Sequence, residues 1–443
     1  MAVRDTDAGG TVAPTSTVAE VRPVAPSIFS ALAASSYRRF WLGSLASVGA
    51  TQLLIIGQGV LVFDISDSEF LLGLAGAMTG IATIVVTLFG GVVADRVNKR
   101  ILLTITSLIV SGLLLLLGSL DVTEVVEVWH VVVIAGIVGV VSGFDFPARL
   151  SLFPLLIDNR SQMMSAVALN SILWQATRII MPAIGGFAIA LVGTYSIFYA
   201  GSVGFFTMAV MMFTIHPDEG ERGASRNVLR ELWGGIQYIG ENRLFAVLIP
   251  LTYFNHFFGL SYMQLIPVFS DAYGAQDNEA LGFLFMSAGI GAVIGTIGTG
   301  NLRAALPAGR LMLVSSGSTA LMILAFAAWT HFGPDPSGNA NPIISPLFFG
   351  SAALIMVASV FNSVFLITSM TILQLLVPAN LRGRVMGIHA MTFSFIAVGG
   401  LFAGGLAQLV NASFAVGLSA LVLLSAVLFV AATQPIVRTL RNE

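Results

Sequence analysis

Gly91-Gly-Val-Val-Ala-Asp95-Arg96-Val-Asn98-Lys99-Arg100 is a short charged turn set between two apolar runs, each long enough to cross a bilayer. Charges at this density cannot lie in hydrocarbon, so the chain must surface there. The three cations of the turn assign that surface to the cytoplasm.

Working outward from the turn, a bilayer span needs about 20 apolar residues. Twelve such stretches begin near Phe40, Phe70, Ile101, Trp129, Met163, Tyr195, Leu244, Leu281, Leu311, Pro346, Val385 and Ala412. The cations test that count, because a wrong number of spans would scatter them over both faces. Of the 20 Lys and Arg residues, all except Arg178 fall on the face of the charged turn. The opposite loops carry acids such as Asp64, Asp67, Glu69, Asp121, Asp271 and Glu279. Twelve helices with both termini in the cytoplasm follow from the positive-inside rule. With 56% hydrophobic and 9% charged residues the chain lies outside the soluble range, and an all-α, multi-pass membrane protein is expected.

The spans divide six and six about the longest cytoplasmic connection. The expected organisation is a disordered cytoplasmic tail over 1–37, a six-helix half over 38–215, a linker over 216–243, a second half over 244–434 and a short tail over 435–443. In the linker, Ser225 is placed to cap an amphipathic helix whose Val228, Leu229, Leu232, Ile236 and Ile239 share one face. The halves repeat weakly: Ser151-Leu-Phe-Pro-Leu-Leu-Ile157 after span four parallels Thr371-Ile-Leu-Gln-Leu-Leu-Val377 after span ten. Two pseudo-symmetric halves with a substrate site at their interface is a transporter architecture.

These features together resemble the major facilitator superfamily over residues 37 to 433, since the superfamily carries a Gly, then Asp-Arg and a basic pair between its second and third helices. Finer stretches resemble its bacterial branch of enterobactin-exporter-like proteins, also called transmembrane secretion effectors. They are Tyr37-Arg-Arg-Phe-Trp-Leu-Gly43, Phe63-Asp-Ile-Ser-Asp-Ser68, Phe144-Asp-Phe-Pro-Ala-Arg149 and Val377-Pro-Ala-Asn-Leu-Arg-Gly-Arg384. Met181-Pro182-Ala-Ile-Gly185-Gly186 is similar to the exporter and antiporter motif of the superfamily, with Met181 in place of the first Gly. The resemblance implies a secondary transporter in the bacterial inner membrane that exports small amphipathic compounds, siderophore-like or drug-like, by alternating access. A functional monomer is the expected unit.

The resemblance further implies a cytoplasmic latch between the halves. In it Asp95 docks at the start of span eleven, and a basic residue of the turn, from Arg96, Lys99 or Arg100, reaches an acid at the end of span four. Gly91 shapes the turn, and Asp145 lies one turn inside span four with Arg149 at i+4. Asn98, where the motif has Gly, is suited to a left-handed turn.

Arg178 stands inside span five, where an arginine costs about 2.5 to 3.5 kcal/mol on insertion scales. Two readings stand: it is held by neutral acceptors such as Gln52 or Gln58, or it faces the cavity and binds an anionic or acceptor-rich substrate. Asn255, His256, Tyr262 and Asn362 are further cavity candidates, and Gln264 and His389 lie at similar depth. Asn255, Gly259 and Tyr262 share a helical face, although single polar residues in such helices often bond a neighbouring helix.

An ATP-driven pump needs a phosphate loop ending in Gly-Lys-Ser/Thr, and the single lysine, Lys99, is followed by Arg100. A gradient is therefore the expected energy source, protons by default, with Asp145 or His256 as the carrier. No cofactor and no metal site is expected, because the five histidines form no ligand cluster and there is no cysteine. The net charge of −2 and the scattered cations speak against a nucleic-acid partner. An importer or lipid flippase of the same fold, and a non-transporting sensor or scaffold, remain the alternatives to export. An intramembrane enzyme is disfavoured, since neither His-Glu-x-x-His nor Gly-x-Ser-x-Gly occurs.

Overall fold

The structure, a computed structural model, describes residues 29–157, 162–215, 228–273, 279–333, 345–378, 381, 385–386, 388–389 and 391–440. Among them there is no strand, and twelve segments are long and apolar enough to span a membrane.

The first half consists of α1 (Ser35–Ser66), α2 (Glu69–Arg96), α3 (Lys99–Val122), α4 (Val128–Leu152), α5 (Met163–Val192) and α6 (Thr194–Thr214). A linker helix, α7 (Val228–Glu241), leads into the second half. There span seven is broken: α8 (Arg243–Gly259) gives way to a 3-10 turn (Ser261–Leu265) and then α9 (Ile266–Ala272). Pro267 sits in the first turn of α9. It has no N–H to give, which suits the first turn of a new helix where that N–H would be unsatisfied anyway; Pro147, Pro182 and Pro250 are accommodated inside α4, α5 and α8. The remaining spans are α10 (Glu279–Ala305), α11 (Ala308–Phe332), α12 (Pro346–Leu376), α13 (Thr392–Leu409) and α14 (Ala412–Thr433), followed by a single turn, α15 (Pro435–Arg438).

The expected tails are shorter than the sequence suggests. Residues 30–33 form a 3-10 turn in which Ala31 is fully buried and its N–H donates to Ser165 Oγ at 3.0 Å. The Tyr37 hydroxyl donates to the Ala166 carbonyl at 2.9 Å, so this end of the chain is fastened to α5. At the other end Val437 is fully buried, and Gly309 N–H donates to the Leu440 carbonyl at 3.3 Å. In both places a few apolar side chains find a groove between helices, which composition does not reveal. Residues 1–28 and 441–443, Ser225 and the arginines 382 and 384 lie outside the described residues.

Core packing sets the shape. One continuous apolar core joins both halves at the ends of the helices bearing the acidic loops, running from Leu61 and Leu72 through Leu265 and Phe269 to Ala407. At the cation-rich ends the core divides in two. Tyr37, Leu103, Leu152 and Met208 pack within the first half, and Phe245, Met312, Leu373 and Val437 within the second. The halves therefore meet at one end and separate at the other.

Glycine makes the meeting possible. A Cβ at Gly186 of α5 would lie 2.4 Å from Gly282 Cα of α10, and one at Gly404 of α13 would lie 2.2 Å from the Glu69 carbonyl oxygen. A Cβ at Gly73 of α2 would lie 2.6 Å from the Gly400 carbonyl oxygen. Backbones can approach this closely only where at least one of them carries no side chain at the contact. Ser68 completes the seal by donating to Gln408 Oε1 at 2.7 Å. Further along α10, a Cβ at Gly298 or Gly300 would meet nothing within 4 Å.

The charged turn is used differently from the expectation. Asn98 has φ −62° and ψ 114°, an extended conformation, and its Oδ1 accepts from Ile101 N–H at 3.0 Å as the N-cap of α3. Helix capping has taken the place of the left-handed turn. Arg100 turns to α6, where Nε donates to the Met212 carbonyl and Nη2 to the Phe213 carbonyl, each at 2.7 Å. Arg39 donates to the Thr214 carbonyl at 2.8 Å. Two cations thus satisfy carbonyls at the C-terminal end of α6, the negative end of its dipole. Arg100→Gln is expected to cost about 1 kcal/mol, a lower melting temperature in detergent, with transport retained. The environments of Gly91, Asp95 and Arg96, and so the docking of Asp95, lie outside the described residues.

Candidate functional site

A cavity of about 410 Å³ lies between the halves, lined by residues of α1, α2, α4 and α5 on one side and α10, α12, α13 and the broken span on the other. At the sealed end it stops near Gly59, Leu72 and Pro267; toward the cation-rich end it extends to Thr87 and Arg149. The break in span seven brings Tyr262, Met263 and Gln264 to its wall. Gln264 also fills the gap between Gly76 and Gly400, whose Cβ atoms would meet its side chain at 3.2 and 2.5 Å.

Several residues expected at the cavity line it: Gln52, Gln58, Arg178, Tyr262 and Asn362. Tyr262 shares the cavity wall with Ser359 of α12. Asn255 and His256 do not reach the cavity wall. Asn255 is fully buried and donates from Nδ2 to Ser316 Oγ of α11 at 3.0 Å, the structural role open to any lone polar group in a membrane helix. The face expected to unite Asn255, Gly259 and Tyr262 ends with α8 at Gly259, and the 3-10 turn rotates Tyr262 away from it. His256 is fully buried, with Nδ1 2.9 Å from the Thr252 carbonyl. A carbonyl can only accept, so Nδ1 carries the proton and Nε2 holds a lone pair, which has no partner.

Arg178 is half-buried, and its Cζ lies 4.0 Å over the centre of the Phe393 ring. This cation-π contact joins α5 of one half to α13 of the other, and the edge of the His256 ring meets Phe393 at 5.6 Å between centroids. Among the described residues no oxygen accepts a hydrogen bond from Arg178, neither Gln52 nor Gln58. Phe393 was not legible in the sequence, being one of 31 phenylalanines with nothing to mark it.

Asp145 and Arg149 form a second polar centre toward the cation-rich end. Arg149 Nε and Nη2 lie 3.0 and 2.9 Å from Asp145 Oδ2. The other guanidinium nitrogen donates to Ser44 Oγ at 3.0 Å and Ser47 Oγ at 3.2 Å, and Thr106 donates to Asp145 Oδ1 at 3.1 Å. Among the described residues the acid of span four is thus held by its own i+4 arginine, and the cation of the charged turn described beside it, Arg100, bonds elsewhere. In the exporter-like stretch Pro182 lines the cavity, Gly185 packs on Leu53 of α1 and Gly186 forms the seal with α10.

The sequence profile of the transmembrane secretion effectors matches residues 26–439, nearly the whole chain. The chain belongs to the transmembrane secretion effector family. This effector of the major facilitator superfamily is 23% identical over 397 residues to the enterobactin exporter EntS of Shigella boydii serotype 4, covering 85% of this chain and 86% of that protein. EntS of Escherichia coli O1:K1 is related to the same degree. Among solved structures, the nucleoside transporter NupG superposes with a TM-score of 0.69 at 12% identity, over 90% of this chain and 98% of that one. A bacterial homologue of the iron transporter ferroportin, in an inward-facing state, superposes with a TM-score of 0.66 at 14% identity, over 91% and 99%. At such identities these structures establish the fold of the effector as that of a twelve-helix major facilitator transporter.

Proposed function

We propose that this transporter is a proton-gradient-driven exporter of small amphipathic compounds, siderophore-like or drug-like, working by alternating access as a monomer in the bacterial inner membrane with both termini cytoplasmic. One observation carries the reading: a single cavity shared by both halves, with a common core at the acidic ends and separate cores at the cation-rich ends. With the cation-rich face in the cytoplasm, this is the state that loads substrate from the cell interior. The relatives named as enterobactin exporters favour the outward direction over import or lipid flipping. No catalytic role is assigned to any residue.

Between the two coupling candidates, geometry favours His256. Asp145 already accepts from Arg149 and Thr106, so a proton arriving there must displace a cation. His256 Nε2 offers a free lone pair. His256→Gln should leave substrate counterflow intact while gradient-driven accumulation falls at least tenfold.

The test uses everted vesicles with an imposed proton gradient and a panel of lipophilic dyes and catecholates. Gradient-dependent uptake of a panel compound that is lost in a stably folded Arg178→Ala variant is the expected result. Entry into right-side-out vesicles instead would overturn export.

A further inference from the structure

We infer that the Arg178 end of the cavity is a subsite for one carboxylate, and that the substrate is an amphipathic organic monoanion with an aryl body. The inference rests on the transport reading above and names the chemistry it carries.

Charge comes first. The charged side chains that line the cavity among the described residues are Asp145, Arg149 and Arg178. Asp145 and Arg149 cancel each other in a direct ion pair. Arg178 therefore leaves the cavity with one uncompensated positive charge. Phe393 lies against one side of the guanidinium and has no acceptor atom, so the N–H groups keep their donor capacity. A guanidinium offers two parallel N–H bonds in the geometry a carboxylate accepts.

The neutral polar groups of the wall are compatible with such a ligand. Gln58 is 5% exposed and lines the cavity, yet its Nε2, a donor, has no hydrogen-bond partner. Buried donors are normally completed by protein, ordered water or a bound group. Asn362 Oδ1, on the same wall, is an acceptor without a partner, so the neutral groups are mixed and it is the charged donor, Arg178, that calls for an anion.

The body of the ligand follows from the remaining wall. Phe146 and Trp174 meet edge to face at 6.1 Å between centroids, and both line the cavity, as does Phe393. The volume of about 410 Å³ is at the lower end of the range for drug-sized ligands. One acidic group on a ring system of two or three rings fits both the charge and the space.

The test is calorimetric titration of the full-length transporter in phosphatidylcholine nanodiscs with matched pairs: 1-naphthoate against 1-naphthamide, and biphenyl-4-carboxylate against its amide. The wild-type protein is expected to bind each carboxylate at least tenfold more tightly than its amide, and Arg178→Gln to abolish the difference while Arg178→Lys keeps part of it. The comparison within the wild type stands even if a variant fails to fold. Amides that bind as well as the carboxylates overturn the inference. If phosphatidylglycerol in the nanodisc displaces 1-naphthoate, the site belongs to an anionic lipid headgroup and the substrate assignment falls. Failure here and failure of export are distinguishable: gradient-driven vesicle uptake of neutral or cationic dyes, undiminished in Arg178→Gln, would retain export and reject the anion, whereas no gradient-driven uptake of any compound would reject export.

Discussion

Gly186→Ala is expected to open the sealed end of the transporter and to cut net transport at least fivefold. The new Cβ would sit 2.4 Å from Gly282 Cα and 2.8 Å from Gly282 N, both main-chain atoms of α10. A side chain could turn aside; a helix backbone can relieve the clash only by moving away from α5. Overpacking of this kind costs about 1 to 3 kcal/mol. Because the strain exists only in the state closed at that end, it shifts the equilibrium between states by about five- to a hundred-and-fiftyfold. The chain has no cysteine, so Asn362→Cys in the cavity gives a unique label. An impermeant maleimide applied from the side of the acidic loops should react slowly in the Asn362→Cys background and at least five times faster when Gly186→Ala is added. Gly112→Ala, where a Cβ meets nothing within 4 Å, is the control and should change nothing. Equal labelling rates in all three proteins would show that the glycine contact does not hold the seal.

Arg149→Met is expected to be the most destabilising single change in the first half, at about 3 kcal/mol. Arg149 is 5% exposed and joins α4 to α1 through Ser44 and Ser47, while its other nitrogens bind Asp145. Removing it leaves a carboxylate at low exposure without its cation, and breaking one side of a buried pair typically costs 3 to 5 kcal/mol. The lower end applies, because the Asp145 side chain is 18% exposed at the cavity and keeps its Thr106 donor. Replacing both partners removes the orphaned charge, so Asp145→Leu with Arg149→Met should recover most of the loss. Unfolding of the purified protein in mixed micelles, run as a double-mutant cycle, reads out the coupling. A double variant as unstable as Arg149→Met alone would mean that the serine contacts to α1, rather than the ion pair, carry the stability.

The sequence determined the number of helices, their six-and-six division and the face that collects the cations. These are the features fixed by the bilayer itself: a span must be apolar and about 20 residues long, and arginines partition to one side, whatever the helices later pack against. It also singled out Arg178, because an ionisable group inside a span is costly enough to require a reason.

Only the tertiary structure decided the partners. Asn255 and Tyr262 look equivalent in a helical projection, yet one is bonded to α11 and the other lines the cavity, because α8 ends between them at Gly259 and Tyr262 belongs to the 3-10 turn that follows. Arg100 was expected to serve a latch and instead satisfies α6 carbonyls, a role any cation at that height could fill. Phe393 became the neighbour of Arg178 through contact between two helices more than 200 residues apart in the chain. Such pairings depend on helix rotation and tilt, which are set by close packing of small residues such as Gly186 and Gly404, and packing leaves no periodic trace in a chain that is apolar all round.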